Sequence, residues 1–236
     1  IRICKKTDWS WQRMRSSSDI SKQSGGTDCK EERLRRDHNC FGPGEILVLG
    51  IGPGDESLIA PMAIEAMKKA DVVAGYKTYL DLITPYLEGK EVIGTGMMQE
   101  VASCEEALEA AIAGKKVVVV SSGDAGVYAM AGLVLELALE VEPEKRPLIQ
   151  IVPGISAVNA AAALLGAPLM HDFAVISLSD LMTSWDVIEK RLHMAAEGDF
   201  VVALYNPKSK KRTWQIEKVQ EIFLQCRAEN TPVGVS

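Results

Sequence analysis

The sequence predicts an α/β protein. From Glu45 onward short apolar, β-rich runs alternate with helical patterns, and three of those runs end in loops of small residues. The composition agrees, with 47% hydrophobic and 25% charged residues over 236, as in a soluble globular chain with a sizeable core.

Taken in order, strands are predicted over residues 46–50, 71–74, 116–121, 148–152, 173–178, 200–205 and 232–236, each bounded by Gly, Pro or charged residues. Ser103 and Glu106 have the spacing of a capping box and predict a helix over 103–113, closed by Gly114. Further helices are predicted to begin near Val127 and at Ser156 and Ala157. Trp214, Val219, Ile222, Phe223 and Cys226 give a later helix an apolar, core-facing stripe.

The charged, turn-rich segment EVEPEKRP, residues 140–147, reads as a linker between two α/β domains, 45–145 and 146–236. Residues 1–44 differ from the rest, with no alanine or valine, six serines, and ten Lys/Arg against six Asp/Glu. That composition reads as a disordered or adventitious leader, and the first residue, Ile1 rather than Met, reads as the start of a fragment.

Charge and cysteine usage exclude several classes. The net charge of −6 includes a basic leader, so the globular part is more acidic still and unsuited to general nucleic-acid binding. No apolar run reaches membrane-spanning length, and the start is unlike a secretory signal. Cys4, Cys29, Cys40, Cys104 and Cys226 are odd in number, scattered and never spaced CxxC, which indicates neither a disulfide framework nor a metal site and fits a reducing cytoplasm.

The stretch ILVLGIGPGDESLIAPMAIEAMKKADVVAG, residues 46–75, has the strand, glycine loop and helix of a nucleotide site. It is not a dinucleotide fingerprint, because Gly50, Gly52 and Gly54 alternate and Asp55 stands where GxGxxG needs its last glycine. A Rossmann methyltransferase would carry an acid at the end of the second strand, which here closes on Ala74 and Gly75. Pro53 has no N–H to offer a phosphate and fixes its own φ, so it suits a rigid ligand wall, or a plain tight turn. A second loop holds Ser121, Ser122, Gly123, Asp124, Ala125 and Gly126; a third holds Pro153, Gly154, Ser156 and Ala157. Three such loops at the C-terminal ends of strands form the expected rim of a ligand crevice, where small residues admit a ligand and Asp124 accepts hydrogen bonds from hydroxyl or amino groups.

GIGPGDESLIAPMAIEAMKKADVV, SSGDAGVYAMAG and VPGISAVNAAAALLGAPL, in this order and spacing, resemble the tetrapyrrole methylase superfamily. Within it, HDFAVISLSDLMTSWDVIEKRL and GDFVVALYNPKSKKR resemble the precorrin-3B C-17 methyltransferases, known in their anaerobic form as cobalt-factor III methyltransferases. The resemblance covers about residues 45–236. It implies a non-Rossmann fold of two α/β domains, S-adenosylmethionine in the cleft between them, an anionic tetrapyrrole substrate and a cytoplasmic homodimer. The cofactor contacts it implies are Pro53, then Ser122, Gly123, Asp124 and Val127, then Ser156 and Ala157, with Tyr205 and Gly234 completing the set. Ala125 departs from the proline more usual in the family. Members of the family continue through further strands where this chain ends, which implies a truncated second domain.

Methylation from an activated sulfonium needs no catalytic triad, and none is evident around His38, His171 and His193. Ring contraction, which this subfamily also performs, benefits from a proton donor or acceptor. Candidates are His171, Asp172 and Asp180, beside the strand over 173–178, and Asp55 after the first glycine loop, where a helix-cap role competes. Lys208, Lys210, Lys211 and Arg212 form either a solvated basic face or a clamp for the substrate's carboxylates. Tyr76, Tyr79 and Tyr128 either stack on a macrocycle or pack internally. The competing readings are another corrin-ring methylase, a cofactor-binding module without turnover and, more distantly, a Rossmann oxidoreductase.

Overall fold

A computed structural model describes residues 44–96, 99–209 and 213–235. Residues 1–43, which the sequence suggests as a leader, lie outside them.

The run EILVLG, Glu45–Gly50, forms β1, and all six residues are buried. An apolar run without alternation is what a central parallel strand shows when both its faces are covered. β2 (Val72–Tyr76), β3 (Glu91–Thr95), β4 (Lys116–Ser121) and β5 (Leu148–Val152) complete a parallel sheet in the order β3-β2-β4-β1-β5. That order differs from the 3-2-1-4-5-6 of dinucleotide-binding folds. On one face Ile46, Val48, Val72, Ala74, Val117 and Val119 pack against α3 (Glu100–Ile112) and α4 (Met130–Glu140). Against β1 and β4 lies α1 (Pro61–Lys69), which buries Ala63, Ala66 and Met67. Its last turn is closed by Lys90, whose Nζ donates to the carbonyls of Lys68 and Ala70 at 2.9 and 2.8 Å, where positive charge also suits the helix dipole. Between β2 and β3 runs the short α2 (Lys77–Leu82).

A second sheet pairs β6 (Phe173–Ser177) with β7 (Val201–Tyr205) in parallel. The crossover helix α6 (Trp185–Glu197) and α7 (Gln215–Leu224) bury Ile188, Leu192, Val219 and Ile222 against Ile176 and Leu178. Between the two sheets in sequence comes α5 (Ala157–Leu164).

Several local expectations change. β3 is not among the strands that the sequence predicts, because an edge strand reading EVIGT carries too little apolar alternation and is defined by its pairing with β2. α3 begins at Glu100, so Ser103 is not its cap: it lies buried within the helix, and its Oγ has no hydrogen-bond partner. Gly114, at φ 91°, does close that helix as expected. α4 begins at Met130 rather than near Val127, since Tyr128 at φ 53° breaks the helical path. Residues 232–235 form no strand; a strand exists through its neighbours, and β6 and β7 are paired with each other. Of the apolar stripe on α7, Val219 and Ile222 are buried, whereas Trp214 is partly exposed against Trp185 and Cys226 is exposed. Residues 140–147 join α4 to β5, and β5 pairs with β1, so the sequence boundary at 145 falls within the strands of the first sheet.

Burial on α3 pushes the Cys104 thiol up to about 12. At pH 8 it is therefore a buried thiol rather than a nucleophile. Alkylation with iodoacetamide followed by peptide mapping is expected to modify the exposed Cys226 and to spare Cys104; equal labelling of both would contradict the packing of α3 on the sheet.

Candidate functional site

Because β4, β1 and β5 are adjacent and parallel, the loops that follow them emerge side by side. Ile51 N–H donates to the Ser121 carbonyl at 2.9 Å, and Gly52 and Gly123 exchange both backbone hydrogen bonds, at 3.1 and 2.7 Å. Gly123, at φ 64°, takes a left-handed conformation that suits glycine. A Cβ on Gly50 would stand 2.5 Å from the Gly123 oxygen and 2.7 Å from the Gly154 nitrogen. One on Gly154 would strike the Gly123 and Gly50 carbonyls. These glycines therefore let the loops close on one another. The sequence suggests that small residues here admit a ligand; at this floor they admit the neighbouring backbone.

Asp124 fastens the same floor. Its Oδ1 accepts from Gly126 N–H at 2.8 Å, within its own loop, and its Oδ2 accepts from Gly154 N–H at 3.0 Å, in the third loop. Each carboxylate oxygen retains acceptor capacity beyond these bonds. Around the floor stand exposed Pro53 and Ala157, half-buried Ser122 and Val127, and buried Ser156, the residue that precedes α5. Of the nine residues that the sequence suggests as cofactor contacts, seven, Pro53, Ser122, Gly123, Asp124, Val127, Ser156 and Ala157, thus lie on the three adjoining loops.

The second sheet reaches this rim through its strand ends. Tyr205 on β7 accepts from Val158 N–H, in the first turn of α5, at 3.0 Å. Its ring lies 5.3 Å from that of Tyr128, on the second loop. The Tyr128 hydroxyl donates to the Val175 carbonyl at 3.2 Å and accepts from Ser177 N–H at 3.1 Å. Burial pushes its phenol above the usual value near 10, opposed by the Ser177 hydrogen bond and the charge of Arg191, so the hydroxyl stays a donor at neutral pH. Asn206, at φ 53°, turns the chain after β7 and donates from Nδ2 to Ser177 Oγ at 3.0 Å. Gly234 lies elsewhere, against the Leu165 side chain past the C-terminal end of α5, a helix of roughly 12 Å.

The acid–base candidates separate. Asp55 is committed to a cap: its carboxylate accepts from Ser57 N–H and Ser57 Oγ at 2.8 and 2.7 Å. Those two bonds hold its pKa below the usual carboxylate value. Asp180 follows β6 on the same side as Tyr205, whereas His171 and Asp172 precede β6, about 20 Å away along the strand direction. Lys208 is exposed beyond β7; Lys210, Lys211 and Arg212 lie outside the described residues. Tyr76 and Tyr79 pack edge to face at 5.3 Å. The tyrosine contacts of Ser177 and the role of Asn206 had no signal in the sequence beyond the polar ends of two predicted strands.

Two cavities, of about 370 and 380 Å³, lie away from the rim, one lined by Gly44, Ala111 and Arg146 and the other by Lys68, Tyr86 and Lys90. Among the described residues no group of three or more His, Cys, Asp or Glu is placed to hold a metal, and no helix is long and apolar enough to cross a membrane.

Residues 45–236 match the family model for tetrapyrrole (corrin/porphyrin) methylases. The chain is 52% identical over 194 residues to a cobalt-factor III methyltransferase of Priestia megaterium, a match covering 81% of this chain and 36% of that protein. It is 49% identical over 192 residues to a probable cobalt-factor III C(17)-methyltransferase of Salmonella typhimurium, covering 80% of this chain and 77% of the relative. The crystal structure of the methyltransferase CobJ superposes with a TM-score of 0.73 at 46% identity, covering 78% of this chain and 77% of the other. The parallel sheet with its non-Rossmann strand order, the small second sheet and the strand-end loops are thus those of a known fold, and the chain belongs to the tetrapyrrole methylases.

Proposed function

We propose that this chain methylates C-17 of cobalt-factor III or precorrin-3B, with ring contraction, using S-adenosylmethionine, in the biosynthesis of cobalamin. The observation that carries this reading is the closed floor of Gly50, Gly123 and Gly154, fastened by Asp124, with Pro53, Ser122, Val127, Ser156 and Ala157 around it. The donor set suits an adenosyl amino acid: Asp124 and Ser122 offer acceptors to hydroxyl or amino groups, and Pro53, Val127 and Ala157 offer apolar walls. When bound, S-adenosylmethionine supplies a methyl group already activated by its sulfonium. The protein's own part is to hold the ligand on a rigid floor, to keep water out and to present the ring carbon in line.

Asp180 is the acid–base candidate on the correct side of the second sheet. Lys208, with Lys210, Lys211 and Arg212 of the same run, is read as an anchor for substrate carboxylates. The reading includes a cytoplasmic homodimer, which exposed Leu164, Met170, Leu181 and Met182 support as apolar surface for a partner copy.

Calorimetric titration with S-adenosylhomocysteine is expected to give micromolar binding, about −8 kcal/mol. Turnover is then expected to add one methyl, located at C-17 by NMR. A folded chain that binds no S-adenosylhomocysteine would sink the reading, and methylation at another ring position would reassign it within the family.

A further inference from the structure

Tyr128 holds a left-handed backbone at φ 53°, a conformation that costs a residue with a Cβ about 1 kcal/mol or more. The far end of its side chain shows what that conformation accomplishes. Leu178 N–H donates to the Tyr205 carbonyl and Val201 N–H donates to the Asp172 carbonyl, so the even-numbered residues of β6 face β7. The odd-numbered ones turn their backbone groups to the opposite edge. There, the Val175 carbonyl and the Ser177 N–H are the two groups that one residue of a parallel neighbouring strand would engage. The Tyr128 hydroxyl engages both, as donor to the first and acceptor from the second. A single phenol thus stands in for a strand at the end of β6 nearest the glycine loops.

Tyr205 reaches in the opposite direction. From the end of β7 its hydroxyl takes Val158 N–H at the start of α5, directly after Ser156 and Ala157 of the third loop. The two rings rest on each other at 5.3 Å, tilted by 52°. Each sheet therefore sends one tyrosine to the other's side, and the pair crosses beside the rim.

We propose that Tyr128 and Tyr205 are positioning residues forming a reciprocal latch, which sets the spacing between the loops of the first sheet and the strand ends of the second and so aligns methyl donor with acceptor carbon. This rests on the methyltransferase reading for its effect on rate. The latch itself rests on the hydrogen bonds. Displacing reacting groups by about 1 Å costs as much as 100-fold in rate, whereas the donor's contacts lie mainly on the first-sheet loops. The latch therefore acts on kcat more than on cofactor affinity.

The test compares wild type, Y128F and Y205F. Residue-resolved hydrogen exchange by NMR is expected to show the Ser177 amide exchanging faster in Y128F and the Val158 amide faster in Y205F, with Leu178, bonded to the Tyr205 carbonyl, unchanged in Y128F. In Y128F the S-adenosylhomocysteine Kd is expected to stay within about threefold of wild type while kcat falls about tenfold, inside the range for misalignment. Wild-type protection of Ser177 in Y128F would overturn the latch, as would faster exchange with unchanged kcat. A wild-type protein that neither binds S-adenosylhomocysteine nor methylates would remove the methylation reading alone; the exchange data would then decide the latch. Should Y128F fail to fold, Y205F tests the latch through the Val158 amide: faster exchange with a lower kcat supports it, and wild-type protection or unchanged kcat overturns it.

Discussion

Gly154→Ala is expected to lower stability by about 3 kcal/mol, toward the top of the usual range for overpacking, and to abolish detectable binding of S-adenosylhomocysteine. The new methyl would meet the carbonyls of Gly123 and Gly50, which are backbone atoms fixed by the β1, β4 and β5 pairings and unable to rotate aside. For a chain of this size the melting temperature should fall by on the order of 10 °C. Gly50→Ala should behave alike, because its Cβ would approach the Gly123 oxygen and the Gly154 nitrogen from the other side. Gly132→Ala is the control: it lies within α4 with open space around its Cβ, where alanine is expected to stabilise by roughly 0.5–1 kcal/mol. Thermal melts and calorimetry on the three variants check the claim. A Gly154→Ala protein that melts and binds like wild type would mean that the three loops have room to separate.

Asp124→Ala should weaken S-adenosylhomocysteine binding at least tenfold and reduce stability by about 2 kcal/mol, the scale for stranding hydrogen-bonding groups. Both carboxylate oxygens hold loop amides, so the substitution releases Gly126 within the second loop and Gly154 in the third. Gly126 is exposed and regains water, which leaves the half-buried Gly154 amide as the main cost. Asp124→Asn keeps one acceptor oxygen and should fall between alanine and wild type. The paired readout separates two roles. Affinity lost in proportion to stability would mark Asp124 as a fastener of the crevice, and affinity lost well beyond it would mark a direct ligand contact. Unchanged affinity in the alanine variant would remove Asp124 from the site.

Much of the fold was legible from the chain because parallel strands covered on both faces must be apolar throughout. VVVV within β4 and ILVL within β1 are such runs, short and rich in β-branched residues. β3 is not legible for the converse reason: it is an edge strand with Glu91 and Gly94, and only its pairing with β2 defines it. The helix starts at Glu100 and Met130 are not legible locally, because they depend on the burial that draws Ser103 inside α3 and on the left-handed turn at Tyr128.

The sequence by itself determined the α/β class, the family and the three small-residue loops, since each depends on residues near one another in the chain and on motifs of fixed spacing. The tertiary structure decided which groups meet. That Gly50, Gly123 and Gly154 close on each other, that Asp124 accepts from the Gly154 amide, and that Tyr128 caps the edge of β6 all follow from the strand order β4-β1-β5 and the approach of the second sheet. Such contacts join residues some 30 to 100 positions apart, and local periodicity contains no term for a partner at that distance.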